Sequence, residues 1–418
     1  MAIEGIGAMI LTYRQRENLS LSKLAERTGV SKTSLSKIET GATRHPSFQL
    51  WKKVGHTLHI PFDEIIGHYL DTTERPATIK LLLEESIALN NKMLIQKAAQ
   101  KLLETTRMDS LLALDHLLQV TKGIDAQRTK LTLYGVIIDY TRKSGIPYFL
   151  SKSIYERYIL ERDDFARFEE TYWRGKELLS YIDFLQPTER VDYYYRMGVH
   201  AYILEYYGES IELCRKGIHE DQTDNKSRAS ALISTVNSYL RLGDLILAEF
   251  FLEMYERSQY ADFRKKHLRA LLYAKKGDCD QAIALYNDCL HEAKPDGRIT
   301  IVSDLLEVCL ETGRNDAIQE LIGSEDTFLP VDCHPNRLKH AARYFKRKSA
   351  CLLAMGQIDD GIDSLIQSIR FYRQIGAVEK TIQCFGLLLR YHRVSERNFS
   401  FEDMEIIEKI CNNHVINE

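Results

Sequence analysis

Apolar residues recur along the whole chain at spacings of three and four, interrupted by short polar or Gly/Pro-bearing breaks. That period is the signature of amphipathic helices, so the sequence predicts helix after helix. Over residues 4–70 it predicts five short ones. The first, over 4–17, carries Ile6, Ile10 and Tyr13 on one side. Ser20 caps a second helix with Leu21, Leu24 and Ala25 facing inward, and Thr28-Gly29-Val30 turns the chain. Ser31 caps a third over 32–39, with Leu35 and Ile38 toward the core and Gly41 closing it. Phe48, Leu50, Trp51, Val54 and Leu58 supply a fourth, and Pro61 with Asp63-Glu64 opens a fifth.

Residues 71–78, a polar stretch containing Pro76, read as a linker. Four amphipathic segments then recur between Ile79 and Ser144, and Gly145-Ile146-Pro147 makes a break. Further on a period emerges. Small residues at Ser210, Ala248, Ala282, Ala317 and Gly361 step 38, 34, 35 and 44 along the chain. This approximates the 34-residue helix–turn–helix unit of tetratricopeptide repeats, in which small residues sit where paired helices cross. Gly198, Ala270 and Ser349 take the corresponding place on the first helix of a pair, and Tyr239, Tyr273 and Tyr286 the aromatic places. The expected fold is all-α: an N-terminal head over 1–70, degenerate helical repeats over 79–190, tetratricopeptide-like repeats over 191–375, and C-terminal capping or dimerisation helices over 376–418. Stacked repeats of this type make a right-handed solenoid whose inner helices line a groove.

Composition narrows the classes. The 418 residues contain only 8 Pro, which favours helix throughout. No apolar run approaches ~20 residues, so no membrane span is expected, and the opening MAIEGIGAMILTYRQREN has an acid where a secretory signal has base. The eight cysteines show no C-x-x-C spacing, so the chain is expected to hold no metal and no cofactor, and to work in the cytoplasm. It lacks a phosphate loop, H-E-x-x-H and G-x-S-x-G, so no enzyme is expected. The net charge of −3 conceals an asymmetry: residues 1–70 hold nine Lys/Arg against six Asp/Glu, a +3 head on a −6 body. That distribution points to nucleic acid at one end.

Two helices joined by a Gly turn, the second polar and basic, make a helix-turn-helix. The string IGAMILTYRQRENLSLSKLAERTGVSKTSLSKIETGATRHPSF resembles the phage-repressor, or Xre-type, DNA-binding domain, with a lambda-repressor-like fold. The resemblance implies an ion pair between Arg14 and Glu39. It also implies base contacts from Lys32, Thr33, Ser36 and Lys37 of the recognition helix, and phosphate contacts from Ser31, Arg44, His45 and Ser47. Leu21 replaces a Gln that many relatives use to reach a phosphate.

Projecting the repeat register places Tyr195, Ser230, Asn237 and Arg241 on the groove face. Arg264, His267, Lys275, Glu307, Arg343 and Lys346 follow on later helices. Amide and basic side chains between apolar walls suit an extended peptide. Head and solenoid together resemble the peptide-pheromone receptors of Gram-positive bacteria and their phages and plasmids, the Rap, Rgg, NprR, PlcR and PrgX group that includes the arbitrium receptors. The resemblance implies a homodimeric transcription regulator of quorum-sensing type. It would bind palindromic or repeated double-stranded DNA and be switched by a short peptide, with Asn237 clamping the peptide backbone. The alternative is an adaptor whose solenoid sequesters a partner protein, with DNA binding secondary.

Overall fold

The computed structural model describes residues 5–43, 46–164, 167–329 and 335–394, with Glu408. All regular structure among them is helical. The chain divides into two compact units, one of residues 1–162 with 174–186 and the other of 163–173 with 187–418.

The first unit opens with α1 (Ile6–Arg16), α2 (Leu21–Thr28), α3 (Lys32–Glu39), α4 (Phe48–Thr57) and α5 (Phe62–Thr72). The starts of α2, α3 and α4 are set by local caps. The hydroxyls of Ser20, Ser31 and Ser47 accept from the backbone N–H groups of Lys23, Ser34 and Leu50. Gly29 ends α2 at φ 67°, the left-handed turn that a Cβ disfavours. Ile10, Leu24, Leu35, Ile38, Trp51 and Val54 close the core beneath. Leu21 packs against that core, which accounts for an apolar residue at this place.

Four helices follow: α6 (Pro76–Ala88), α7 (Lys92–Glu104), α8 (Ser110–Lys122) and α9 (Gln127–Ser144); then α10 (Pro147–Glu161). The expected linker over 71–78 is shorter than the sequence implied. Asp71 and Thr72 finish α5, and Pro76 starts α6 at a position where its missing N–H costs nothing, leaving only residues 73–75 between helices. Nor is the head tethered loosely. Helix α5 lies against α6 and α7, and one apolar core runs continuously from Ile6 to Phe149. Salt bridges Lys52–Glu85 (2.6 Å), Lys97–Asp71 (2.6 Å) and Lys101–Glu74 (2.8 Å) rim this junction.

After α11 (Phe168–Lys176), the second unit continues as α12 (Pro187–Ile203), α13 (Tyr207–Glu220), α14 (Lys226–Leu242), α15 (Leu245–Glu256), α16 (Arg264–Lys276) and α17 (Cys279–Glu292). It closes with α18 (Pro295–Glu311), α19 (Asn315–Gly323), α20 (Pro335–Ala354), α21 (Ile358–Gln374) and α22 (Val378–Val394). From α12 to α19 each helix packs on its sequence neighbour, as do α20, α21 and α22, and α12, α14, α16, α18 and α20 also touch in series, the contact ladder of a solenoid. The small positions behave as crossing points. Ala248, Ala270 and Ala282 are fully buried, and a Cβ on Gly198 would overlap Sγ of Cys214. Paired helices are joined through a left-handed residue, Gly243 and Gly277 among them, but in the first pair that residue is Glu205, at φ 66°. Ser400, the expected cap of a last helix, lies outside the described residues, as do Cys333 and Cys411. The other six cysteines are unpaired, and burial pushes the thiols of Cys214 and Cys289 up to about 12 and 11. These two serve as small apolar fillers.

Candidate nucleic-acid interface and ligand cavity

Helix α3 is held by its buried side and presents the other. Arg14 of α1 donates from Nε and Nη2 to the two carboxylate oxygens of Glu39, at 2.6 and 2.7 Å, and from Nη1 to the carbonyl of Leu19 at 2.8 Å. This two-pronged bond, with both side chains largely buried, pins the end of α3 to α1 and to the turn before α2. Gly7 lets α1 approach still closer, since a Cβ there would overlap the carbonyl oxygen of Ile38. Lys32, Thr33 and Lys37 are exposed and Ser36 half-buried, and among the described residues none of the four side chains is bonded within the protein. Ser31 and Ser47 stand at helix N-termini, where backbone N–H groups favour anions. Arg44 and His45 lie outside the described residues.

The second unit contains a cavity of about 540 Å³, in the size range of about 300–1,000 Å³ usual for ligand pockets. Of the groove residues read from sequence, Arg241, Glu307, Arg343 and Lys346 line it. The others sit elsewhere. Tyr195 is a correction: its ring is buried over Gly217, whose missing side chain makes the room, and its hydroxyl donates to the Gly217 carbonyl (3.2 Å) and Asp221 (3.1 Å). Asn237 is half-buried but does not line the cavity, and its Nδ2 donates back to the Ile233 carbonyl at 3.0 Å. Ser230 is exposed and donates to Lys226, Arg264 is held by Asp262, and Lys275 is exposed at the end of α16. His267 stands behind the wall, Nε2 2.9 Å from the buried carboxylate of Asp304.

Asp304 organises one side of the cavity. Arg343 (2.6 Å) and Arg347 both donate to its Oδ1, and Arg347 also pairs with Glu307. Burial alone would raise this carboxyl, but Arg343, Arg347 and His267 together hold it well below the usual carboxylate range. A second cluster closes the cavity between α12 and the C-terminal helices. Lys339 donates to the Ile203 carbonyl at 2.6 Å and lies 3.6 Å from Glu205, which Lys380 of α22 reaches at 2.8 Å. The left-handed Glu205 is therefore the carboxylate of a clasp. Tyr202, Tyr207, Tyr372 and Tyr391 supply aromatic wall, and His340 completes it; burial first, then Arg343 and Lys339, push its imidazole down to about 4. Among the described residues no group of acidic, His and Cys side chains could hold a metal. No helix among them is long and apolar enough to cross a membrane.

Residues 10–65 match the family model described as "Helix-turn-helix". This segment is a helix-turn-helix domain. The transcriptional regulator SlrR of Bacillus subtilis is 47% identical over 60 residues, 14% of this chain and 40% of SlrR. SinR of the same organism is 37% identical over 67 residues, 16% of this chain and 60% of SinR. The chain thus spans about half the length of these relatives, with likeness confined to the helix-turn-helix end. Among solved structures, Rap protein complexed with Competence and Sporulation Factor superposes over 92% of this chain and 98% of its own, with 10% identity and a TM-score of 0.37.

Sequence reasoning missed Glu205, Lys339, Arg347 and Lys380, half of the charged residues that line the cavity, though one signal was available. Lys339, Arg343 and Arg347 recur every four residues along α20, a basic stripe on one helix face. Lys380 and Tyr391 belong to α22, read from sequence as a cap or dimer helix, yet they line the site.

Proposed function

We propose that the protein is a sequence-specific transcription regulator in which the helix-turn-helix domain reads double-stranded DNA and the second unit binds a short signalling peptide. The observation that carries the DNA half is the face of α3. Four polar side chains stand free of protein bonds there, on a helix fixed by the Arg14–Glu39 pair. Lys suits the acceptor edge of guanine, Thr the thymine methyl, and Ser31 and Ser47 the flanking phosphates. A +3 head makes few phosphate contacts, so the reading includes a homodimer placing two heads on half-sites about one helical turn apart. The peptide half rests on a cavity that mixes cations, acids and tyrosines. A peptide acts on DNA binding if it binds one arrangement of the protein better than another.

The test is retention of DNA from upstream of the protein's own gene, by the full chain, across a salt series. Specific retention that weakens steeply with salt supports the reading. A monomer that retains no DNA at low salt overturns it.

A further inference from the structure

The charges lining the cavity do not balance. Six cations face it and only two carboxylates, with Asp304 directly behind the wall. Pairing accounts for four of the six. Arg343 and Arg347 share Asp304 and Glu307, and Lys339 and Lys380 share Glu205. Arg241 of α14 and Lys346 of α20 are left over: both line the cavity, and among the described residues neither makes an ion pair or hydrogen bond within the protein.

An unmatched positive charge in a partly desolvated concavity favours an anion more than the same charge does on an open surface. Both line the cavity from inner helices of the solenoid, Lys346 half-buried on α20 and Arg241 exposed at the end of α14 near Tyr202 and Tyr207. The paired cations show how this wall meets a carboxylate: by two basic groups from different helices on one acid, as α20 and α22 do on Glu205. Arg241 and Lys346, likewise from two different helices, line the same cavity with no acid between them among the described residues.

We infer that Arg241 and Lys346 form a receptor for a carboxylate of the bound peptide, so that the cavity selects peptides bearing an anionic group over neutral ones. The inference rests on the peptide-binding reading above. The carboxylate has two sources, the peptide's C-terminus or an Asp or Glu side chain, and the guanidinium fork with an ammonium suits both.

The probes are three synthetic hexapeptide libraries offered to the full chain, with retained peptides identified by mass spectrometry. One has free C-termini and no Asp or Glu; one has amidated C-termini with Asp and Glu allowed; one is amidated and free of acids. Retention of the first alone assigns the C-terminal carboxylate, and retention of acid-bearing members of the second alone assigns a side chain. Either supports the inference. In both cases Arg241→Gln and Lys346→Gln should each lower retention at least tenfold, while Arg241→Lys and Lys346→Arg keep most of it. Unchanged circular dichroism and melting temperature in the Gln variants separate this loss from misfolding. Equal retention of all three libraries overturns the carboxylate receptor and leaves the peptide reading standing. Retention of none overturns both.

Discussion

At the scale of single residues, the face of α3 makes a sharp prediction. Lys37 is exposed and touches nothing that holds the domain together. Lys37→Ala should therefore leave the melting temperature unchanged and weaken binding to the specific site by about 1–3 kcal/mol, measured by fluorescence anisotropy against a scrambled site. Gly7 is the opposite case. Its Cβ would strike a backbone carbonyl rather than a flexible side chain, so Gly7→Ala should push α1 from α3, lower thermal stability and loosen the Arg14–Glu39 pair together. His340 gives a pH dependence. Its folded-state pKa, about 4, lies below the ordinary 6.5, so between those values the unfolded chain takes up a proton that the folded one refuses. Stability to urea should fall as pH drops from about 6.5 to 4, and His340→Gln should flatten that slope. Residues of the recognition helix were legible in the sequence because caps, turn and exposed face all lie within a few positions of each other. Tyr195 was misread because its position depends on Gly217 of the next helix, which register arithmetic on α12 ignores.

Among elements, the hairpin turn between α12 and α13 departs from its fellows. Most paired helices bend through glycine, yet here Glu205 takes the left-handed conformation, at a cost of about 1–2 kcal/mol. Such strain persists where surrounding contacts over-determine it, and Lys339 and Lys380 provide those contacts. Two effects compete in Glu205→Gly. The backbone relaxes, but the half-buried Lys339 and Lys380 lose the acid they share, and removing one partner of a fully buried pair costs about 3–5 kcal/mol, less where the group keeps solvent as here. The second effect should win. We expect a net destabilisation of about 1–2 kcal/mol by chemical denaturation, with α12 and α22 losing hydrogen-exchange protection first. The repeat itself was legible because crossing helices demand small residues at a fixed period. The clasp was not: it joins positions some 136 residues apart, and no local pattern encodes that meeting.

For the whole molecule, the junction after the helix-turn-helix domain matters most. A polar, Pro-bearing stretch reads as a tether because composition reports solvent exposure but not what packs on either side of it. Here α5 shares its core with α6 and α7. Calorimetry should accordingly show no separate early transition for residues 5–72, and limited proteolysis should not release them first from 73–75. The same shared core decides where this protein could be recombined with another. Replacing the reader by cutting after Thr72 would expose the side of α5 that α6 and α7 cover and leave those helices without their apolar partner. A seam in the loop between α7 and α8 would in turn part α7 from α9 within the same core, so the exchangeable module is the whole first compact unit, not the 70-residue head.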